Sequence, residues 1–198
     1  MLISRDREKL VNAIVFFARN TQYCGKTKLF KLLYLLDFHH FLETGRSVTG
    51  LEYHAWKNGP VPFSLVRQRD DLEGDLAVAV DIVPQRAINC DRQRVVPEAA
   101  FDESHFTKRE LRLMQELAHR HHDEMTKPLI GLTHEERAPW DKIWDGGRGN
   151  NERIPYALAV PDDDPNREAV LEAAREYQGL AAADAANRVL RTSLPSIG

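Results

Sequence analysis

Apolar positions recur at helical spacing from the start of the chain. Leu10, Ile14, Phe17 and Ala18 fall on one face of a helix that begins near Ser4, a suitable N-cap, and runs to about Asn20. TQYCG reads as a loop, and a second helix follows over residues 27–44, closed by Gly45 where a left-handed cap residue is favoured. Its Leu29, Phe30, Leu32, Leu33, Leu35, Leu36 and Phe38 occupy most of the circumference, so this helix belongs in the middle of the fold. VPFSLVRQRDDLEG predicts a third helix, with Pro62 in its first turn, Gly74 at its end and Leu65, Val66 and Leu72 turned inward.

Between residues 76 and 96 the period shortens. LAVAVDIV and RVV, separated by INCDRQ, are the one stretch that resembles strands, and they predict a small hairpin. FTKREL then carries a complete helix start: Thr107 as cap, Glu110 to close a capping box and Phe106 to staple onto Leu111. Leu111, Met114, Leu117 and Ala118 continue that helix as its buried face. Thr133 and Glu136 in LTHEER form a second box, but Pro139 removes a donor a turn later and breaks or kinks the helix, with Trp140, Ile143 and Trp144 just beyond. DGGRGNN has the composition of a flexible loop, and RIPYALAV is extended or a short helix. In the tail, Asp164 suits a cap and Pro165 the first position of an alanine-rich helix over residues 166–191, which Gly179 is placed to interrupt. Val170, Leu171, Tyr177, Leu180, Val189 and Leu190 are its few large apolar residues, so it docks loosely or orders against a partner.

These elements predict a mainly α fold: a single helical domain around a central helix, residues 1–160, with a small β-hairpin element, and a C-terminal helical extension, residues 161–198. The bulk properties agree. A chain of 198 residues with 42% hydrophobic and 29% charged positions matches an ordinary soluble domain rather than a disordered or membrane protein. MLISRDREKL puts charges where a secretory signal needs its apolar run, so the cytoplasm is the expected compartment. There Cys24 and Cys90, which lack ligand-like spacing, read as free thiols. The net charge of −3 argues against duplex nucleic acid as a partner, since that needs a basic stripe. Lys26, Lys28 and Lys31 are close together but read as the solvated face of a helix start.

Candidate chemistry is sparse. GKT at residues 25–27 invites a phosphate-loop reading, yet the glycine that motif needs five residues earlier is Asn20, and a helix precedes it where a strand should. HRHHDE sets His119 three residues from His122 and four from Asp123, so pairs of these face one metal from a single helix, and His39, His40 and Glu43 offer further ligands. The alternative function that follows is a metal-dependent phosphohydrolase of the HD type, with His119, His122 and Asp123 holding a metal that activates water. The plainer reading is that His121 or His122 closes the buried face begun by Met114 and Ala118. No GxSxG elbow occurs, and neither cysteine has a motif that lowers its pKa. By contrast, TGLEYHAWKNGPVP gathers Tyr53, His54, Trp56, Lys57 and Asn58 against a Gly-Pro turn, the mixture enriched at interface hot spots. Its plainer reading makes Tyr53 and Trp56 core, with Gly59 and Pro60 merely turning the chain.

Three stretches in order, KLFKLLYLLDFHHFLETGRSVTG, YHAWKNGPVP, and FTKRELRLMQEL with LTHEERAPWDKIW, resemble the SocA-like antitoxins, the Panacea-domain proteins once described as phage-associated, over roughly residues 9–158. The resemblance implies a mostly helical fold with a minor β element, and a non-enzymatic role without cofactor in a bacterial toxin–antitoxin system. The partner would be a protein toxin encoded nearby, neutralised by direct binding. Binding either occludes the toxin or, in a proteolytic-adaptor mechanism, hands it to an ATP-dependent protease. A complex is then the working form, as a homo- or hetero-oligomer away from membranes. The expected toxin-binding residues are Tyr53, His54, Trp56, Lys57, Asn58, Gly59, Pro60 and Pro62. Trp56 and Tyr53 would supply anchor area, Lys57 and Asn58 polar specificity, and the Gly-Pro loop preorganisation. Trp140 and Trp144 are second-choice contacts and read better as core. The tail beyond Val160 lies outside the resemblance, as an element that wraps the toxin or a plain terminal helix.

Overall fold

A helix that is apolar all round has to be enclosed, and the second helix, α2 (Lys26–Thr44), is. The computed structural model describes residues 5–68, 72, 74–87, 90–125, 129–131 and 138–192, with the side chains of 86, 87, 90–92, 185 and 187–192 left aside. The fold is mainly α. Around α2 lie α1 (Asp6–Asn20), a hairpin of β1 (Tyr53–Trp56) and β2 (Gly59–Pro62), the short helices α3 (Phe63–Arg67) and α4 (Asp75–Ala79), and a second hairpin of β3 (Val80–Ala87) and β4 (Cys90–Pro97). Then follow α5 (Lys108–Arg120), α6 (Pro139–Trp144) and the long α7 (Arg167–Thr192). Leu10, Ile14, Phe17 and Ala18 of α1 join Leu29, Leu32, Leu33 and Leu36 of α2, and Met114 and Leu117 of α5, in one buried cluster.

Helix boundaries follow their local signals. Ser4 lies outside the described residues, but α1 ends at Asn20 and α2 closes on Gly45, whose φ of 70° is the left-handed conformation glycine adopts without strain. Gly45 is required twice, because a Cβ there would lie 2.5 Å from the carbonyl oxygen of Val170, where α7 crosses. The capping box of α5 forms in full: Thr107 Oγ1 accepts from the Glu110 amide at 3.3 Å, and Glu110 Oε2 accepts from the Thr107 amide at 2.7 Å.

The predicted third helix is where pattern and structure part. Residues 59–62 are strand, and the helix is confined to Phe63–Arg67. Proline pushes the residue before it into the extended region, so Pro62 holds Val61 out of a helix, and Gly59, with φ 95°, is out of one as well. Gly74, with φ 61°, opens α4 instead of ending a helix; residues 69–71 and 73 lie outside the described residues. LAVA is helical, burying Leu76 and Ala79 on one turn, and strand begins at Val80. The predicted hairpin is present but longer, running in register from Val80 opposite Pro97 to Ala87 opposite Cys90 and taking in part of INCDRQ.

Three further expectations change. Strand structure is not confined to that hairpin, since residues 53–62 form the other. DGGRGNN is built rather than loose: Asp145–Gly147 make a 3-10 turn, and residues 151–154 run along the free edge of β1. Pro139 takes the first position of α6, where its missing donor costs nothing; Thr133 and Glu136, and with them the helix expected before Pro139, lie outside the described residues. At the C-terminus Asp164 Oδ1 accepts from the Asn166 amide as expected, but α7 passes through the exposed Gly179 unbroken. Its first half docks through Val170 and Ala174 on Phe41 and Val160.

Candidate functional site

Because α2 is enclosed along its middle turns, three of its charged residues are buried with the leucines, while Glu43 in its last turn is exposed. Lys28 and Lys31 are not a solvated face at all: both are almost fully enclosed, as is Asp37. Asp37 Oδ1 accepts from the backbone amides of Val48 and Thr49, each at 2.8 Å, while Oδ2 accepts from the hydroxyls of Thr49 at 2.5 Å and Tyr53 at 2.8 Å. Burial holds the Asp37 carboxyl above the usual carboxylate range against the pull of these bonds. Tyr156 joins from the far side, donating to the Leu51 carbonyl at 2.6 Å. This network ties α2, the turn after Gly45, β1 and the 3-10 turn Tyr156–Ala159 into one frame. Lys28 Nζ donates to the carbonyls of Gln22, His122 and Glu124, joining the loop after α1 to the segment after α5.

That frame presents the hairpin of β1 and β2. Tyr53 pairs with Pro62 at its base and Trp56 with Gly59 at its tip, and Gly59, with φ 95°, absorbs the reversal after Lys57 and Asn58. Period-two alternation turns Tyr53 and Ala55 into the core and Trp56 outward. The eight expected contact residues therefore divide. Tyr53 is 1% exposed with its hydroxyl on Asp37, so its side chain is core, and Gly59, Pro60 and Pro62 are buried too. His54 is half-buried, stacked on Phe63 with Nδ1–H donating to the Asn151 carbonyl at 2.8 Å. Trp56, Lys57 and Asn58 are exposed together at the tip. Trp56 is 39% exposed yet held, its indole N–H donating to Asn151 Oδ1 at 3.1 Å and its carbonyl accepting the indole N–H of Trp140 at 3.0 Å. Trp140 is core, and Trp144 stacks on it.

Beside the tip lies a cleft of about 380 Å³ between the start of α2, the hairpin and α3. Lys26, Lys31 and Lys57 supply its charges and Phe30, Trp56 and Leu65 much of its apolar wall. Lys31 at its floor donates to the Pro60 carbonyl at 2.8 Å, which ties α2 to the hairpin, and burial brings its amine down to about 7. The residues that sequence reasoning missed are therefore Lys28, Lys31 and Asp37. Their signal was present, since a helix apolar on every side leaves the charges of its middle turns nowhere to go but inward.

The other candidate clusters do not converge. His119 is exposed, and His122 and Asp123 pair with each other at 2.5 Å on the surface. His121 is the buried one and closes the α5 face, with Nδ1 on Glu124 at 2.7 Å. His40 is engaged with the Arg46 carbonyl. Among the described residues no group of three or more His, Cys, Asp or Glu is placed to hold a metal ion. Gly25 of the GKT triplet serves packing, since a Cβ there would meet the Gln93 carbonyl oxygen at 2.7 Å. Cys24 is buried, and burial pushes its thiol up, away from reactivity. A larger polar groove of about 700 Å³ lies at the opposite end of α2, lined by Lys9, His40, Arg46, Arg109 and Tyr177 among others. Among the described residues no helix is long and apolar enough to cross a membrane.

Against known proteins, the family model of the SocA-like antitoxin, Panacea domain, matches residues 29–141, from the first turn of α2 to α6. No curated protein and no solved structure matches the chain.

Proposed function

The chain belongs to the SocA-like antitoxin, Panacea-domain family, and from that premise we propose that it neutralises a protein toxin encoded nearby by binding it directly, without catalysis. The carrying observation is the hairpin tip: Trp56, Lys57 and Asn58 stand exposed on a rigid frame built by Asp37, Lys31 and Asn151. A large aromatic that is already held by a hydrogen bond loses little freedom when a partner covers it, which is the property of an interface anchor. Tyr53, Pro60 and Pro62 belong to the same motif as positioning residues, with His54 at its edge. The cytoplasm is the proposed compartment, and delivery of the bound toxin to an ATP-dependent protease is compatible with the same contact.

Co-expression with the product of the neighbouring gene tests the reading. The neighbour should arrest growth alone, be harmless with this chain and copurify with it. Trp56→Ala should weaken binding by about 2 kcal/mol or more, roughly thirtyfold in Kd, while the circular-dichroism melt of the free chain stays put. A harmless neighbour that does not copurify would remove the proposal's support, and a collapsed melt in Trp56→Ala would make Trp56 a core residue.

A further inference from the structure

The cleft beside the hairpin tip holds a buried cation that the fold engages through a single hydrogen bond. Lys31 is 1% exposed, yet of its three donors one is engaged, on the Pro60 carbonyl. No carboxylate lies within ion-pair distance of it among the described residues. The other buried charges of α2 differ in this respect: Lys28 meets three carbonyls and Asp37 four donors. A buried ammonium without a counter-ion is costly, and an apolar side chain of the same length would fill the space without that cost.

The surroundings raise the cost. Lys57 lines the same cleft, and among the described residues that line it none is an Asp or Glu. The cleft also opens at the start of α2, whose cap residue Gly25 offers no side-chain acceptor and whose first turn has no acidic residue. The positive end of a 19-residue helix, Lys31 and Lys57 thus converge in a protein whose net charge is −3. Lys31 and Lys57 call for an anion, and Phe30, Trp56, Val61 and Leu65 call for an apolar body next to it.

We propose that this cleft receives a carboxylate, an Asp or Glu side chain carried on an apolar segment of the toxin, with Lys31 and Lys57 as its ion-pair partners and Trp56 as the apolar wall. The proposal rests on the antitoxin reading for the source of the carboxylate and on the cleft for its chemistry. Its volume of about 380 Å³ is enough for two or three side chains, and it is continuous with the exposed tip, so one docking event covers both.

Two arms separate the two inferences. In the first, the free full-length chain is titrated with N-acetyl-glutamyl-phenylalanine amide and with the glutamine counterpart, following the indole N–H resonance of Trp56. The glutamate probe should shift it and the glutamine probe should not, and Lys57→Glu, a change at an exposed position, should abolish the shift. In the second, Kd for the neighbouring gene product is measured for the same chain, for Lys57→Glu and for Lys31→Met. Each variant should bind at least tenfold more weakly, with a flatter dependence on salt. If Lys31→Met fails to fold, Lys57→Glu decides alone. A toxin that binds both variants as tightly as the parent overturns the cleft proposal and leaves the antitoxin reading standing. A neighbour that never binds, with the glutamate probe still discriminated, overturns the toxin as the source and leaves a site for a free carboxylic acid. No discrimination between the probes, with or without a toxin, overturns the anion chemistry itself.

Discussion

Lys31 and Asp37 share a helix and a buried environment without pairing, so each is open to its own measurement. Lys31 titrates at about 7 in the folded chain because burial disfavours the ammonium, against an ordinary value near 10.5. Between those values the unfolded chain binds more protons, so folding stability rises with pH; the penalty of the buried charge is complete below pH 7 and is relieved above it. The slope from this one group approaches about 1.4 kcal/mol per pH unit. Urea unfolding at pH 7.0, 7.75 and 8.5 should show it, and Lys31→Met should subtract it; equal slopes in the two proteins would mean that burial does not lower the proton affinity of the amine. Asp37 makes the opposite demand, as an acceptor for groups that have no other. Asp37→Ala leaves the amides of Val48 and Thr49 buried without partners and should cost on the order of 3–5 kcal/mol. Asp37→Asn keeps one oxygen for both amides and should cost less than half as much in the same denaturant titration, and a loss as large as alanine's would show that the charge itself is needed.

At the scale of elements, Gly45 couples the end of α2 to α7. Alanine there would take on the left-handed backbone penalty, roughly 1–2 kcal/mol, and place a Cβ against the Val170 carbonyl. Gly45→Ala should therefore speed amide exchange over residues 167–177 more than over α1 or α5, and unchanged protection in α7 would show that the crossing gives way without cost. That helix end was legible in the sequence, as were α1, α2, the Thr107 capping box and the β3–β4 hairpin, because each is specified by residues adjacent in the chain. The β1–β2 hairpin was not recognised, although Asn58-Gly59 marked its turn. Two prolines in a four-residue strand suggested a helix start, and the pairing partner that stabilises β1 on its other edge comes from residues 151–154, far along the chain. For the same reason the site was half legible. YHAWKNGPVP was picked out as the motif, but which of its residues face outward depends on Asp37 and Asn151, and no local pattern names them.

For the molecule as a whole, the open question is where the folded unit ends. The resemblance suggested a division after Val160, leaving α7 as an appendage, but Val170 and Ala174 are packed on Phe41 and Val160, and Arg46 lies over the Tyr177 ring at 4.7 Å. Beyond Tyr177 no described side chain of α7 is buried, and Leu180 is 56% exposed. We propose that the folded unit extends into the helix, to about residue 178. A chain ending there should unfold in denaturant within about 0.5 kcal/mol of the full chain, since none of the described side chains it loses is buried. A chain ending at residue 160 uncovers Phe41 and should lose about 2–4 kcal/mol, the burial of one or two apolar side chains. Toxin neutralisation by the chain ending at 178 then separates two roles for the distal half of α7. If that chain folds and neutralises fully, the hairpin face is sufficient and the distal half is a plain terminal helix. If it folds but fails to neutralise, the distal half of this alanine-rich helix takes part in binding the toxin, and the contact extends from the hairpin tip along α7.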